Sequence, residues 1–164
     1  GTMSSYRVYV GIGKYAAGSL KGKWLDLEDY NDKEEFMKAC QELHADEDDP
    51  EIMLQDHEGV PSQFIGESWI DEKFWDYLNS GIHDDVKEAY MALFDEWDED
   101  QCNERYEGKF RSDEDYAEDR CESCGMLESI PENLRFYFDF EKYARDMSYN
   151  GEFMEENGHY FSNY

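Results

Sequence analysis

Residues 6–12, Tyr6-Arg7-Val8-Tyr9-Val10-Gly11-Ile12, alternate along the chain and are rich in β-branched and aromatic side chains, the pattern of a strand. The segment after this strand decides the fold class. A stretch punctuated by Gly13, Gly18 and Gly22 leads to Trp24-Leu25-Asp26-Leu27, a second strand, with no helical pattern between the two. Asn31 is placed to cap a helix over about 32–44, with Phe36, Cys40 and Leu43 on one face. Asp46-Glu47-Asp48-Asp49-Pro50 reads as a loop, and Ile52-Met53-Leu54-Gln55 as a third strand ending at Asp56-His57-Glu58-Gly59. The first piece of the chain, 3–61, is thus expected to be a small antiparallel sheet with one helix. Gly1 and Thr2, ahead of Met3, read as a cloning remnant.

The next piece, 62–104, reads as helical, with one helix over about 70–79 stopped by Gly81 and another over about 83–99. In the second, Ile82, Val86, Ala89, Tyr90, Leu93 and Trp97 share one face and Asp84, Glu88, Asp95 and Glu99 the other. Like charges four residues apart destabilise a helix by about 0.2–0.5 kcal/mol per pair. A face that served only solvation would mix signs, and Lys87 alone does so here. From 105 to 164 a short strand over 106–111 precedes Ser112, an N-cap with Asp113, Glu114 and Asp115 in the first turn, where acids also suit the helix dipole. Gly125 reads as the residue that stops this helix. Pro131 opens a segment running into a helix over about 139–148, and Asn157-Gly158 between two β-rich runs signals a hairpin. Strands and helices that segregate in this way define an α+β chain.

Charge narrows the function. The 164 residues hold 42 acids and 15 bases, a net charge of -27. Such a chain repels nucleic acid and anionic membrane surfaces, so its expected partners are basic proteins or cations. Disorder, the usual consequence of such charge, is opposed by 40% apolar residues, including four Trp, thirteen Tyr and ten Phe. The charge is also uneven. Residues 1–25 carry Arg7, Lys14, Lys21 and Lys23 and no acid, whereas 84–119 carries fifteen acids against four bases. A compact chain of this length is about 40 Å across, and about 40 Å of duplex DNA carries roughly 24 charges. The two densities are comparable.

Catalytic motifs are poorly supported. Cys121-Glu122-Ser123-Cys124 has no second ligand pair for zinc, and it lies at a helix end among acids, not in the positive setting that activates a thiol. Calcium loops begun at Asp98 or Asp113 fail at the later ligand positions. Asp76 between Trp75 and Tyr77, or Asp139 between Phe138 and Phe140, imitates a glycoside hydrolase cleft, but so many acids and rings place such neighbours together by chance. No metal or cofactor is expected, and no enzymatic activity. No apolar run is long enough to span a membrane, no apolar leader core begins the chain, and the cysteine spacing is not that of a secreted framework, so the expected location is cytoplasmic. Phe136-Tyr137-Phe138-Asp139-Phe140 is expected to pack in a core, with self-association as the alternative for Phe136, Tyr137 and Phe138.

With these residues in view, the chain resembles the ArdA family of antirestriction proteins, from near residue 6 to near 164. The resemblance is carried by Tyr9-Val10 with Lys14-Tyr15, Gly18, Gly22, Trp24 and Asp26; by Gln55-Asp56-His57-Glu58-Gly59; and by Ile130-Pro131 with Leu134, Tyr137, Asp139, Tyr143, Arg145, Asp146 and Gly151. Ala16 and His57 depart from the family's usual Asn and Tyr. The resemblance implies an elongated protein of three small domains (3–61, 62–104 and 105–164), dimerising through the last. It implies a bacterial DNA mimic that occupies the DNA-binding groove of the methyltransferase core of type I restriction-modification enzymes and so protects mobile DNA. Phosphates would then be imitated by Asp46, Glu47, Asp48, Asp49, Asp56 and Glu58, and by Glu67, Asp71 and Glu72. Asp84, Asp85, Glu88, Asp95, Glu96, Asp98, Glu99, Asp100 and Glu104 continue the series, followed by Asp113, Glu114, Asp115, Glu118 and Asp119. An acidic module for another basic DNA-binding protein is the principal alternative, and a carboxylate-dependent glycoside hydrolase ranks after it.

Overall fold

A computed structural model describes residues 6–12, 22–43 and 52–163. Among them are seven α-helices and two three-stranded antiparallel sheets, an α+β fold as expected. The chain forms two compact units, Gly1–Asp84 and Asp85–Tyr164.

In the first unit, β1 (Arg7–Ile12) lies between β2 (Gly22–Asp26) and β3 (Ile52–Glu58), antiparallel to both. Val8 and Val10 point to the buried face with Leu25 and Leu54, as the period of two requires. Between Tyr9 and Val10 the pairing with β3 shifts from Asp56 to Leu54, so Gln55 bulges out of register. β3 runs on through Asp56-His57-Glu58, where the sequence alone indicates an end; Arg7, Val8 and Tyr9 supply its partners.

Helix α1 (Lys33–Glu42) starts one residue later than a cap at Asn31 would place it. Asp32 Oδ1 accepts the Glu35 N–H at 2.8 Å, while Glu35 Oε2 reaches back to the Asn31 N–H at 2.7 Å. Asp32, not Asn31, takes the extended cap conformation and supplies the side-chain cap, while Glu35 satisfies the N–H of the residue ahead of Asp32. Helix α2 (Lys73–Asn79) is shorter than the expected 70–79, because Ile70 bridges Ile65 instead of joining the helix. Its Phe74, Trp75 and Tyr77 meet Tyr6, Phe36 and Phe64 in an aromatic cluster with centroids 5.3–6.4 Å apart.

The helix expected over 83–99 ends early, α3 covering Asp84–Leu93, and a separate helix, α4 (Glu99–Arg105), starts where the expected one would end. Asp98 takes an extended conformation and its Oδ1 accepts the Gln101 N–H at 3.1 Å, starting a new helix with Glu99 and Asp100 in its first turn. That capping signal overrides continuation. Trp97 still buries against Tyr90, 5.5 Å between centroids, by folding back from the break. Its helical spacing therefore imitates a continuous helix face.

The second sheet has β6 (His159–Ser162) between β4 (Tyr106–Lys109) and β5 (Phe153–Glu156). All four residues of β6 are buried, so helices cover both faces of the strand. Tyr160 packs with Tyr116 of α5 (Asp113–Ser123) and beside Met147 and Ala144 of α7 (Phe140–Tyr149). Phe161 packs with Tyr90 and Phe94 on the α3 side. The hairpin turns at Asn157 (φ 52°) and Gly158 (φ 84°), both left-handed, as an Asn-Gly turn requires. Ser112 caps α5 and Gly125 (φ 71°) comes just after its end, both as expected from sequence. A short helix, α6 (Glu132–Arg135), begins after Pro131.

Candidate functional site

The candidate site is a surface. Asp46, Glu47, Asp48 and Asp49 lie outside the described residues. Of the remaining expected acids, Asp71 and Asp84 are half-buried and all the others exposed. Several also hold local structure. Glu58 forms an ion pair with Arg7 across β1 and β3. Asp56 Oδ1 accepts the His57 N–H at 2.8 Å, and Asp71 Oδ1 accepts the Lys73 N–H at 2.9 Å ahead of α2. Asp98 caps α4, and Asp113 Oδ1 accepts the Tyr160 hydroxyl at 2.6 Å.

The break between α3 and α4 removes one expected like-charge pair, since Asp95 and Glu99 do not share a helix. Asp84 and Glu88 still share α3, and Asp100 and Glu104 share α4. Helix α5 adds Glu114 with Glu118 and Asp115 with Asp119, all four exposed. Its buried side is Tyr116, Ala117 and Cys121, so its outward side is almost wholly carboxylate.

Lys87, expected to relieve α3's acidic face, is 2% exposed. Its spacing to Met91 and Phe94 puts it on the covered side of α3, a signal readable as an apolar arc wider than Val86, Tyr90 and Leu93 alone. Three other cations of the second unit also turn inward, while Lys109, Arg111, Lys142 and Arg145 are exposed. Arg105 donates to the Ser162 carbonyl and to Gln101 Oε1, both at 3.0 Å, and its guanidinium lies 5.2 Å from the Phe94 ring centre. Arg120 pairs with Glu107 at 3.4 Å, and Arg135 donates to the Ile130 carbonyl at 3.0 Å. All three are half-buried. Four of the second unit's eight cations are thus drawn at least partly off its surface.

The cysteine pair is split by burial. Cys121 lies inside, its Sγ 3.8 Å from Met126 Sδ, while Cys124 is exposed at the helix end. Burial, reinforced by Cys124, Glu118 and Glu122, pushes the Cys121 thiol up, away from the reactive thiolate. Neither hydrolase-like acid stands between open rings. Asp76 is exposed while Trp75 and Tyr77 are buried, and Asp139 caps α7 by accepting the Lys142 N–H at 3.0 Å.

The expected packing of the 136–140 segment is corrected in part. Phe138 packs on Phe140 and Tyr143, but Phe136 is 89% exposed and Tyr137 76%. Pro131 and the short α6 hold these two rings on a turn that no other element covers among the described residues. No helix among the described residues is long and apolar enough to cross a membrane.

Fold and surface together define a small α+β protein that turns carboxylates outward and much of its positive charge inward. The model of the antirestriction protein family ArdA matches residues 8–162, and the chain belongs to that family. Its function is therefore antirestriction, exercised on restriction-modification enzymes, and the family is not one of enzymes. No curated protein matches the chain.

Proposed function

We propose that this chain is a catalytically inert DNA mimic that occupies the DNA-binding groove of the methyltransferase core of type I restriction-modification enzymes. The observation that carries the reading is the sorting of charge: like-charged carboxylates at i,i+4 on α5 face water, while Lys87, Arg105, Arg120 and Arg135 are held inward. That arrangement lowers helix stability yet keeps the surface potential strongly negative, which a basic groove rewards and solvation alone does not require. Mimicry extends over the exposed acids of both units and, in this reading, over Asp46–Asp49. The protein acts in the bacterial cytoplasm, where the restriction enzyme meets incoming DNA. It acts as a homodimer, with Phe136 and Tyr137 contributing to the contact, since two large exposed rings side by side are typical of interfaces.

The deciding experiment is competition. Purified protein displaces DNA from a type I methyltransferase core at low salt, and its potency falls as salt rises. Failure to displace DNA at low salt rejects the reading. Replacing Phe136 and Tyr137 with Ser lowers the sedimenting mass to that of one chain; an unchanged mass places the dimer contact elsewhere.

A further inference from the structure

We infer that Trp69 is a cation-binding platform, a fixed indole on which an arginine or lysine side chain of the target's groove stacks while neighbouring carboxylates balance its charge. This rests on the proposed occupation of that groove and names one place where contact is more than charge. Trp69 is 50% exposed, whereas Trp75 and Trp97 are buried and Trp24 is half-buried beneath Arg7. Its position is built. The Ile65–Ile70 bridge closes a tight turn in which the Gly66 N–H donates to the Trp69 carbonyl at 2.9 Å. The Asp71 N–H donates to the Phe64 carbonyl at 2.7 Å, and the Leu54 N–H ties the turn to β3 through the Glu67 carbonyl at 2.7 Å. The indole lies across Gly66 so closely that a Cβ there would overlap the indole nitrogen. A side chain at 66 would displace the ring.

The surroundings choose the occupant. Glu67 and Glu72 are exposed on either side of Trp69 in sequence, and the carboxylate of Asp71 is fixed by the Lys73 N–H. An apolar partner would have to desolvate these carboxylates without compensation, while a cation satisfies both ring and acids. The same unit already contains this arrangement within itself: the Arg7 guanidinium lies 4.9 Å from the Trp24 ring centre and is paired with Glu58. Trp69 with Glu67 and Glu72 offers a ring and carboxylates to a guanidinium supplied from outside.

Competition against DNA on the methyltransferase core tests this. Trp69→Ala weakens inhibition about tenfold, and Trp69→Leu, which keeps apolar bulk but no ring, weakens it as much. Trp69→Phe keeps a ring and most of the potency, while Gly66→Ala, which keeps the indole but moves it, lowers potency. Full potency of Trp69→Ala, or rescue by Trp69→Leu, would overturn the inference. A second measurement is independent of the restriction enzyme. In the wild-type protein, the indole N–H resonance missing from Trp69→Phe shifts on addition of an octa-arginine peptide and not of a neutral peptide of equal length. No shift overturns the platform even where competition succeeds. A shift without competition by the wild-type chain leaves the platform standing and rejects the DNA-groove reading.

Discussion

Tyr160 joins the two requirements of this chain in one contact. Its ring is 2% exposed, stacked 4.7 Å from Tyr116 at an interplanar angle of 13°, and its hydroxyl donates to Asp113 at the exposed start of α5. Burial, then the hydrogen bond to Asp113, raises its pKa well above the usual 10.0. The neutral form is therefore the folded form. Stability from this group is complete below about pH 10, where the unfolded chain's tyrosines begin to ionise, and is lost as pH rises toward the higher folded value. Tyr160→Phe removes a hydrogen bond to a charged acceptor and should lower stability by about 2 kcal/mol at neutral pH. It should also flatten the loss of melting temperature above pH 10, which thermal unfolding at neutral and alkaline pH would record. Equal slopes for the two proteins would assign the alkaline sensitivity to other groups. Cys40 and Cys102, whose burial pushes both thiols up to about 12, contribute in the same direction and are unchanged in the comparison.

At the scale of elements, α5 makes the sharpest prediction, because stability and activity should move in opposite directions. Glu118→Lys with Asp119→Lys turns the repulsive pairs with Glu114 and Asp115 into attractive ones, each in the favourable order of acid before base. The variant should gain about 0.8–2 kcal/mol in urea unfolding, since each of two pairs changes sign, while losing inhibitory potency. A surface whose only task is solubility would tolerate the change. Alanine at Asp98 should cost about 1 kcal/mol by removing the cap that separates α4 from α3, and asparagine should restore most of it. The range over which each signal acts decides how much of this was legible. Ser112, Gly125 and Asn157-Gly158 act on their own backbone, and their elements could be read directly. The break at Phe94–Asp98 was hidden because Trp97 folds back onto Tyr90 and keeps a helical spacing that no helix supplies. Lys87 was misplaced for a related reason: in so acidic a chain a lysine is expected outside, and only the packing of α3 against the second sheet's layer draws it in. The exposed indole of Trp69 depends on the Ile65–Ile70 bridge, which no local pattern announces.

For the whole molecule, a net charge of -27 on 164 residues predicts a salt response that separates mimicry from mere solubility. Self-repulsion opposes the compact state, and the four exposed cations of the second unit, Lys109, Arg111, Lys142 and Arg145, offset only part of its exposed carboxylates. Raising salt from about 0.1 M to about 1 M shortens the screening length from about 10 Å to about 3 Å. Repulsion between neighbouring helix faces should then fade, and the melting temperature should rise by a few degrees, the shift that about 1 kcal/mol produces in a chain of this size. Binding to a basic groove responds in the opposite sense, because the same screening weakens attraction between partners and the encounter that it steers. Inhibition should fall more than tenfold over a range in which the protein becomes more stable, so unfolding cannot explain the loss. Potency that held steady while the melting temperature rose would mean that contacts other than charge dominate the complex, and the carboxylates would then serve the chain's own solubility. The two curves need only one protein preparation and one salt series, melting followed by circular dichroism and binding by displacement of labelled DNA from the methyltransferase core.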